Sequence, residues 1–311
     1  MGKTALIIGT RGSPLALWQA RFVQKQLEEQ NPGLKVTIKT IVTSGDKIKK
    51  GSLAPFGGKG LFIKEIEEAL LARKIDLAVH SLKDMPAILP TGLSIITVLK
   101  RHDPRDAFVS KKFSSLLGLP RKSVIGTSSL RRQAQLKNFR PDLKILPLRG
   151  NVETRLKKLA AGKYDAIILS AAGLIRLGLE SRIREFLATT LMLPSVGQGV
   201  IAIEGREGDE TVFHAVRPLN DPLTESCSKA ERTFLAELEG GCQAPIAGYA
   251  EPNGLALELT GLVASPDGRE LIRDQVTGFL RDPIALGKQL ARSLLAKGAK
   301  EILRNGQDEE E

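Results

Sequence analysis

Short apolar runs alternate along this chain with longer stretches in which apolar positions recur every three or four residues. That alternation predicts buried strands followed by amphipathic helices. Thr4 to Gly9 reads as a strand, followed by Thr10-Arg11-Gly12-Ser13-Pro14-Leu15. Ser13 suits an N-cap and Pro14 the first helical position. Leu15, Trp18, Phe22 and Leu27 carry the apolar stripe onward. The same order returns at Ser123 to Leu136, where Val124-Ile125-Gly126-Thr127 leads into Ser128-Ser129-Leu130-Arg131-Arg132 and a helix. Ile8-Gly9-Thr10 and Ile125-Gly126-Thr127 match residue for residue.

The repeat goes further. Lys74-Ile75-Asp76-Leu77-Ala78-Val79-His80-Ser81 parallels Lys163-Tyr164-Asp165-Ala166-Ile167-Ile168-Leu169-Ser170. Each follows a helical stretch, Leu61 to Ala72 and Val152 to Ala161. In the first of these Phe62, Ile66, Ala69 and Leu70 form the stripe, and Glu65, Glu67 and Glu68 are expected to face water. The fold class is therefore α/β, with two similar βαβ halves, each built on a mostly parallel sheet. Arg101 to Asp106 links the halves and Leu193 to Gly199 returns, and two crossings between similar halves put a hinge at a central cleft.

Asn220-Asp221-Pro222 opens a third, α+β part. It begins with a helix, Thr224 to Leu238. Apolar runs Ile246–Ala250, Leu255–Val263 and Glu270–Thr277 follow, separated by Pro252-Asn253-Gly254 and Pro266-Asp267-Gly268. Those turn words predict a three-stranded antiparallel meander, closed by one helix from Pro283 to Leu303. The expected domains are 1–100 with 200–217, then 101–199, then 220–311. The first half carries an excess at Ser44 to Gly60, rich in glycine and lysine, which reads as a mobile surface loop with the character of a lid. Lys59 is followed by Gly60, so it is not a P-loop.

Composition is that of a globular protein, 42% hydrophobic and 26% charged with mean hydropathy −0.07. No apolar run approaches a membrane span, and no signal-peptide pattern stands at the start. Two cysteines, Cys227 and Cys242, and three scattered histidines predict no disulfide framework and no metal site. Cys227, at a helix start, reads as structural. The expected compartment is the cytoplasm. The net charge of +11 asks for an anionic partner. Aromatic residues are only 4% and nucleic-acid motifs are missing, so a small polyanion suits the chain better than a duplex.

The arginines sit singly at helix starts. Arg11 precedes Ser13, Arg131 and Arg132 follow Ser129, Arg149 precedes Asn151, Arg155 lies a turn later, and Arg176 follows the strand ending at Ser170. A cation there opposes the helix dipole, so bound carboxylate or phosphate accounts for the set. Asp84 stands just past a strand and is able to stabilise a developing cation, while His80 reads as a core histidine. Late in the chain, Glu239-Gly240-Gly241-Cys242-Gln243-Ala244-Pro245 puts a cysteine on a tight loop that a bulky group can approach.

Together these words resemble the porphobilinogen deaminase (hydroxymethylbilane synthase) family. They are Arg11 to Ala16, His80 to Pro86, Gly126 to Arg132, Leu148 to Arg155 and Gly240 to Pro245. The match runs from about Thr4 to the final helix without departure at the motif positions. The resemblance implies two periplasmic-receptor-like domains around a cleft plus a smaller C-terminal domain. It implies a dipyrromethane cofactor held by a thioether to Cys242, with Lys83, Thr127, Ser129, Arg131, Arg132 and Arg155 binding it. It implies Asp84 as the catalytic group and Arg11, Ser13, Arg149, Arg155 and Arg176 as substrate carboxylate grips. Four porphobilinogens would be joined head to tail into hydroxymethylbilane by a cytoplasmic monomer, which hands product to uroporphyrinogen-III synthase. No metal, membrane or nucleic acid enters. A two-lobed small-anion binding protein is the alternative, as it would share the first two domains but have no use for Cys242.

Overall fold

The structure, a computed structural model, describes residues 4–47, 62–238 and 245–308. Packing divides the chain into two compact units, Met1–Arg101 with Val200–Glu225, and His102–Gly199 with Ser226–Glu311.

The first unit opens with β1 (Ala5–Thr10), α1 (Pro14–Gln30), β2 (Lys35–Thr40), the single turn α2 (Ser44–Lys47), α3 (Lys64–Leu71), β3 (Leu77–Ser81) and β4 (Leu93–Val98). The second unit continues with β5 (Asp106–Ser110), β6 (Val124–Gly126), α4 (Leu130–Phe139), β7 (Lys144–Leu146), α5 (Val152–Ala160), β8 (Ala166–Ser170), α6 (Ala171–Arg176) and β9 (Glu185–Leu187). The chain then re-enters the first unit with β10 (Ile201–Arg206) and α7 (Glu210–Val216).

The two sheets have one plan. Strand order is β2-β1-β3-β10-β4 in the first and β7-β6-β8-β5-β9 in the second. In each, four strands run one way and one is reversed, β10 or β5, second from an edge. The reversed strand is the first laid down after a crossing. The repeat legible in the sequence is also a repeat of hydrogen bonds. Asp76 donates its amide to Ile7 O at 2.9 Å and accepts from Ile7 N at 2.8 Å on Oδ2. Asp165 does the same with Val124, at 2.9 and 2.8 Å. A carboxylate that finishes a backbone ladder in this way fixes the offset between two parallel strands.

After α8 (Pro222–Glu237) come β11 (Ile246–Asn253), β12 (Ala256–Ala264), β13 (Leu271–Phe279), α9 (Pro283–Ala296) and α10 (Ala299–Asp308). The strands form the expected antiparallel meander, in the order β11-β12-β13. Phe234 and Cys227 of α8 share its core with Leu257, Leu259, Leu290 and Leu294. Glu231, fully buried, accepts from Gly197 N at 2.7 Å and Ala250 N at 2.8 Å, tying α8 to β11 and to the return segment.

Four expectations change. The closing helix is two, because Gly298 at φ 98° turns the chain after α9 in a conformation that favours glycine. Pro252 lies inside β11 rather than in the turn, a place proline tolerates on an edge strand. The buried face of α1 is Gln19, Ala20, Val23 and Leu27, whereas Phe22 is exposed and stacks on Trp18 at 5.3 Å. Glu67, expected to face water, is buried. The segment read as a lid begins with the helical turn α2, and the rest of it lies outside the described residues.

Candidate functional site

In the first unit, Ser13 caps α1 as its sequence position predicts, its Oγ accepting from Ala16 N at 3.3 Å. Arg11, between β1 and that cap, lies with its guanidinium 4.1 Å from the centre of the Phe62 ring. It also forks onto Asp46 of α2, through Nε at 3.3 Å and Nη2 at 2.5 Å. Asp46 further accepts from Thr43 Oγ1 at 2.8 Å. Burial would raise its carboxyl, but Arg11 and Thr43 outweigh burial and hold it below the usual range. Lys83 and Asp84 occupy a 3-10 turn, Leu82–Asp84, directly after β3. Leu82 and Met85 anchor that turn in the core, while Asp84 is exposed. Among the described residues no hydrogen bond or ion pair engages the Asp84 carboxylate. It is a charge presented to solvent at a strand's carboxyl end, where α/β sheets place ligands.

Beneath that turn lies a cluster that the sequence reading missed. His80 Nε2 is 3.1 Å from Glu204 Oε2, and both are buried. Burial first, and the charge of Glu204 second, push the Glu67 carboxyl up to about 7, with His80 opposing.

In the second unit, Thr127 Oγ1 accepts from Ser129 N at 3.2 Å, shaping the entry to α4. Ser128 Oγ clamps the Leu148 backbone at 2.9 and 3.1 Å. Arg131 and Arg132, in the first turn of α4, are buried, and the anion they face is the protein's own Asp106. Arg131 Nη2 lies 2.8 Å from Asp106 Oδ2 and Arg132 Nη2 lies 2.7 Å from Oδ1. Arg131 also donates to Leu193 O at 2.6 Å and Arg132 to Ile168 O at 3.0 Å. Burial alone would raise the Asp106 carboxyl, and the two guanidiniums more than offset it, so it titrates far below the usual range. The sequence reading placed Asp106 in a linker. It is the first residue of β5, and its signal was the pair of arginines that needed a buried counter-charge.

Asn151 caps α5 through Thr154 N at 2.8 Å, placing exposed Arg149 and half-buried Arg155 at that helix start. Arg155 Nε donates to Gly150 O at 2.7 Å. Arg176, at the end of α6, donates Nη2 to Gly199 O at 2.7 Å. It is 6% exposed, and its Nε is buried without a hydrogen-bond partner among the described residues. Burial draws its pKa down to about 10. No carboxylate of the described residues pairs with it, which leaves a buried cation suited to an external anion. Its charge adds to burial in lowering the pKa of His102.

Cys242 lies outside the described residues, while Cys227 is buried in the C-terminal core. Among the described residues no cluster suited to a metal occurs, and no helix is long and apolar enough to cross a membrane.

Two family models match the chain. "Porphobilinogen deaminase, dipyromethane cofactor binding domain" covers residues 6–214 and "Porphobilinogen deaminase, C-terminal domain" covers residues 226–296. The chain belongs to the porphobilinogen deaminase family. A curated relative, the porphobilinogen deaminase of Syntrophotalea carbinolica, is 52% identical over 303 residues, covering 97% of this chain and 96% of that protein. Among solved structures, a periplasmic substrate-binding protein of an ABC transporter from Coxiella burnetii is 19% identical at a TM-score of 0.44, over 71% of this chain and 94% of that one. The methionine-binding protein MetQ is 16% identical at 0.45, over 75% and 94%.

Proposed function

We infer that this chain is a transferase of tetrapyrrole biosynthesis that removes ammonia from porphobilinogen and joins four molecules head to tail into hydroxymethylbilane. The observation that carries this is 52% identity along 97% of the chain to a porphobilinogen deaminase. The basic balance of +11 suits a ligand that gains two carboxylates with every pyrrole added.

The residues present fit the dipyrromethane that the family's domain holds. Arg176 offers a buried, unpaired guanidinium nitrogen, and Arg149, Arg155, Ser129 and Thr127 stand at two helix starts. When bound through Cys242, that group supplies a tethered pyrrole to which each substrate is joined. The chain's own residues then have separate tasks. Arg11, Ser13, Arg149, Arg155 and Arg176 orient substrate carboxylates, with Arg11 exchanging its partner Asp46 for one of them. Lys83, Arg131 and Arg132 support the cofactor's acidic groups, the last two on the rigid base that Asp106 provides. Asp84 faces the positive charge that develops on the substrate pyrrole as ammonia leaves, and stabilises it electrostatically.

Intact mass under denaturing conditions tests the reading. Protein from cells that make porphobilinogen should exceed its polypeptide mass by a dipyrrole, and Cys242→Ser should lose the excess. Full activity at bare polypeptide mass would end it. A small-anion binding protein would carry no adduct. We also propose a cytoplasmic monomer that passes its product to uroporphyrinogen-III synthase. Two cysteines, one of them in a core, suit a reducing compartment, and light scattering checks the monomer.

A further inference from the structure

Glu67, His80 and Glu204 are buried together in the first unit, and the reaction as described uses none of them. His80 on β3 and Glu204 on β10 lie on the sheet face that α3 covers, and α3 adds Glu67. Oε1 of Glu67 and Oε1 of Glu204 are buried without a hydrogen-bond partner among the described residues.

The internal repeat shows what this place holds when only packing is asked of it. Aligning Asp76 with Asp165 sets Glu67 against Leu156 and His80 against Leu169. Glu204 pairs with Ala78 as Val109 pairs with Ile167, so Glu204 stands against Val109. Leu156, Leu169 and Val109 belong to one apolar core in the second unit. The same architecture is therefore built there from hydrocarbon. Three ionisable groups in its place weaken the fold, since buried charge costs more than apolar packing returns. The turn bearing Lys83 and Asp84 begins two residues after His80. Its Leu82 and Met85 pack on Ile63, at the start of α3, and on Ala202 of β10. The elements that build the cluster also seat the turn.

We propose that Glu67, His80 and Glu204 are positioning residues for the Lys83–Asp84 turn, and that they hold a titratable proton whose loss speeds deamination. The Glu67 carboxyl, pushed up to about 7 by burial and then by Glu204, titrates near neutrality. Once ionised it adds negative charge on the face that seats Asp84, where the reaction develops positive charge. The groups around it are few. His80 faces it from β3 and Glu204 from β10. Arg206, further along β10, is taken up by Leu70 O, Ile75 O and Asp209. On α3 itself Lys64 and Glu68 are exposed and Glu65 reaches Ser44. β4 contributes Leu93 and Ile95, and the turn contributes Lys83 and Asp84.

The proposal rests on the reading of Asp84 as the catalytic carboxylate, and the experiment separates the two. Single-turnover ammonia release is followed from pH 6 to 8.5 in cofactor-loaded protein. Wild type should rise about three- to tenfold across the interval. Glu67→Gln should stay at the wild-type low-pH rate throughout, with substrate dependence unchanged. A parallel rise in the variant overturns the proposal. The exchange Glu67→Leu, His80→Leu and Glu204→Val, copying the second unit, should melt no lower than wild type and lose the pH-dependent rise. Retention of that rise overturns it equally, and the exchange carries the test if Glu67→Gln folds poorly. Thermal unfolding provides a readout free of chemistry. The Glu67 carboxyl is raised from its ordinary 4.5 to about 7, so its contribution is complete below 4.5 and is lost as pH rises through about 7. Wild type should lose melting temperature across that window and Glu67→Gln should not. The same loss in both overturns the cluster's proton, whereas near-normal Asp84→Asn activity removes only the catalytic reading of Asp84.

Discussion

The two five-stranded sheets differ most where their plans agree. Each buries its charge where the other is apolar. The first unit holds Glu67, His80 and Glu204 where the second has Leu156, Leu169 and Val109. The second holds Asp106 opposite Ser170, where the first has Ile201 opposite Ser81. After the matching strands, the first unit continues Leu82-Lys83-Asp84 and the second Ala171-Ala172-Gly173. One duplicated scaffold thus buries two carboxylates and an imidazole behind an exposed carboxylate, and the other a carboxylate paired with two guanidiniums. The division suits a reaction in which a cation must form on a substrate covered with carboxylates.

The largest way to break that contrast is at Asp106. Removing one member of a buried pair leaves uncompensated charge, at a cost of about 3–5 kcal/mol. Asp106→Ala should therefore unfold much earlier in denaturant, whereas Asp221→Ala, at a helix start, should lose only about 1 kcal/mol. The carboxyl's titration is depressed by Arg131 and Arg132 against the pull of burial. Its stabilisation is thus present above the ordinary value of 3.8 and lost as pH falls below it. A melting midpoint within error of wild type would show that the two arginines find other partners.

Next comes Asp84→Asn. Asparagine keeps the shape but not the charge, and loss of one preorganised electrostatic contact costs about 10²–10³ in rate. Folding should survive, since Asp84 is exposed and no hydrogen bond among the described residues engages its carboxylate. Single-turnover ammonia release checks it, and a rate within a few-fold of wild type would mean the cation is stabilised elsewhere.

Arg176→Met is smaller. Removing a charge-assisted contact costs about 1.5–3 kcal/mol of ligand binding. Because burial disfavours this cation and no carboxylate of the described residues offsets it, melting temperature should hold or rise. Substrate dependence at matched cofactor loading decides, and an unchanged dependence would leave Arg176 without a ligand.

What was legible in the sequence was whatever a local pattern encodes. Ser13, Asn151, the matched strands and the meander all follow from spacing and turn chemistry. What was hidden needed partners far along the chain. Glu67 sits three residues from Leu70 on a helix whose polar positions look solvated, and the groups buried with it, His80 on β3 and Glu204 on β10, come from strands distant in sequence. Of the arginines expected at helix starts, Arg176 lies instead in the last turn of α6. For Arg131 and Arg132 the nearest anion is Asp106, 25 residues or more away in sequence, which no spacing rule reveals. Glu67 had one local signal, a charge standing where the repeat has Leu156.

The smallest effect sharpens the contrast between an exposed ion pair and a buried one. Arg11 meets Asp46 through the same two nitrogens, Nε and Nη2, with which Arg132 meets Asp106, but the side chains of the first pair are 25% and 28% exposed instead of 7% and 0%. An exposed pair is worth only about 0.2–1 kcal/mol and is screened by salt. It can therefore be exchanged for a substrate carboxylate, while the buried pair stays. If Arg11 grips substrate, Asp46 competes with it. Asp46→Asn keeps an acceptor for Thr43 and removes the competing charge, so KM for porphobilinogen should fall about two- to fivefold. The turnover number should not change, and the gain should shrink in high salt. In an Arg11→Ala background the gain should vanish, because nothing remains to compete for. A rise in KM would instead make Asp46 the residue that holds Arg11 in place for its ligand.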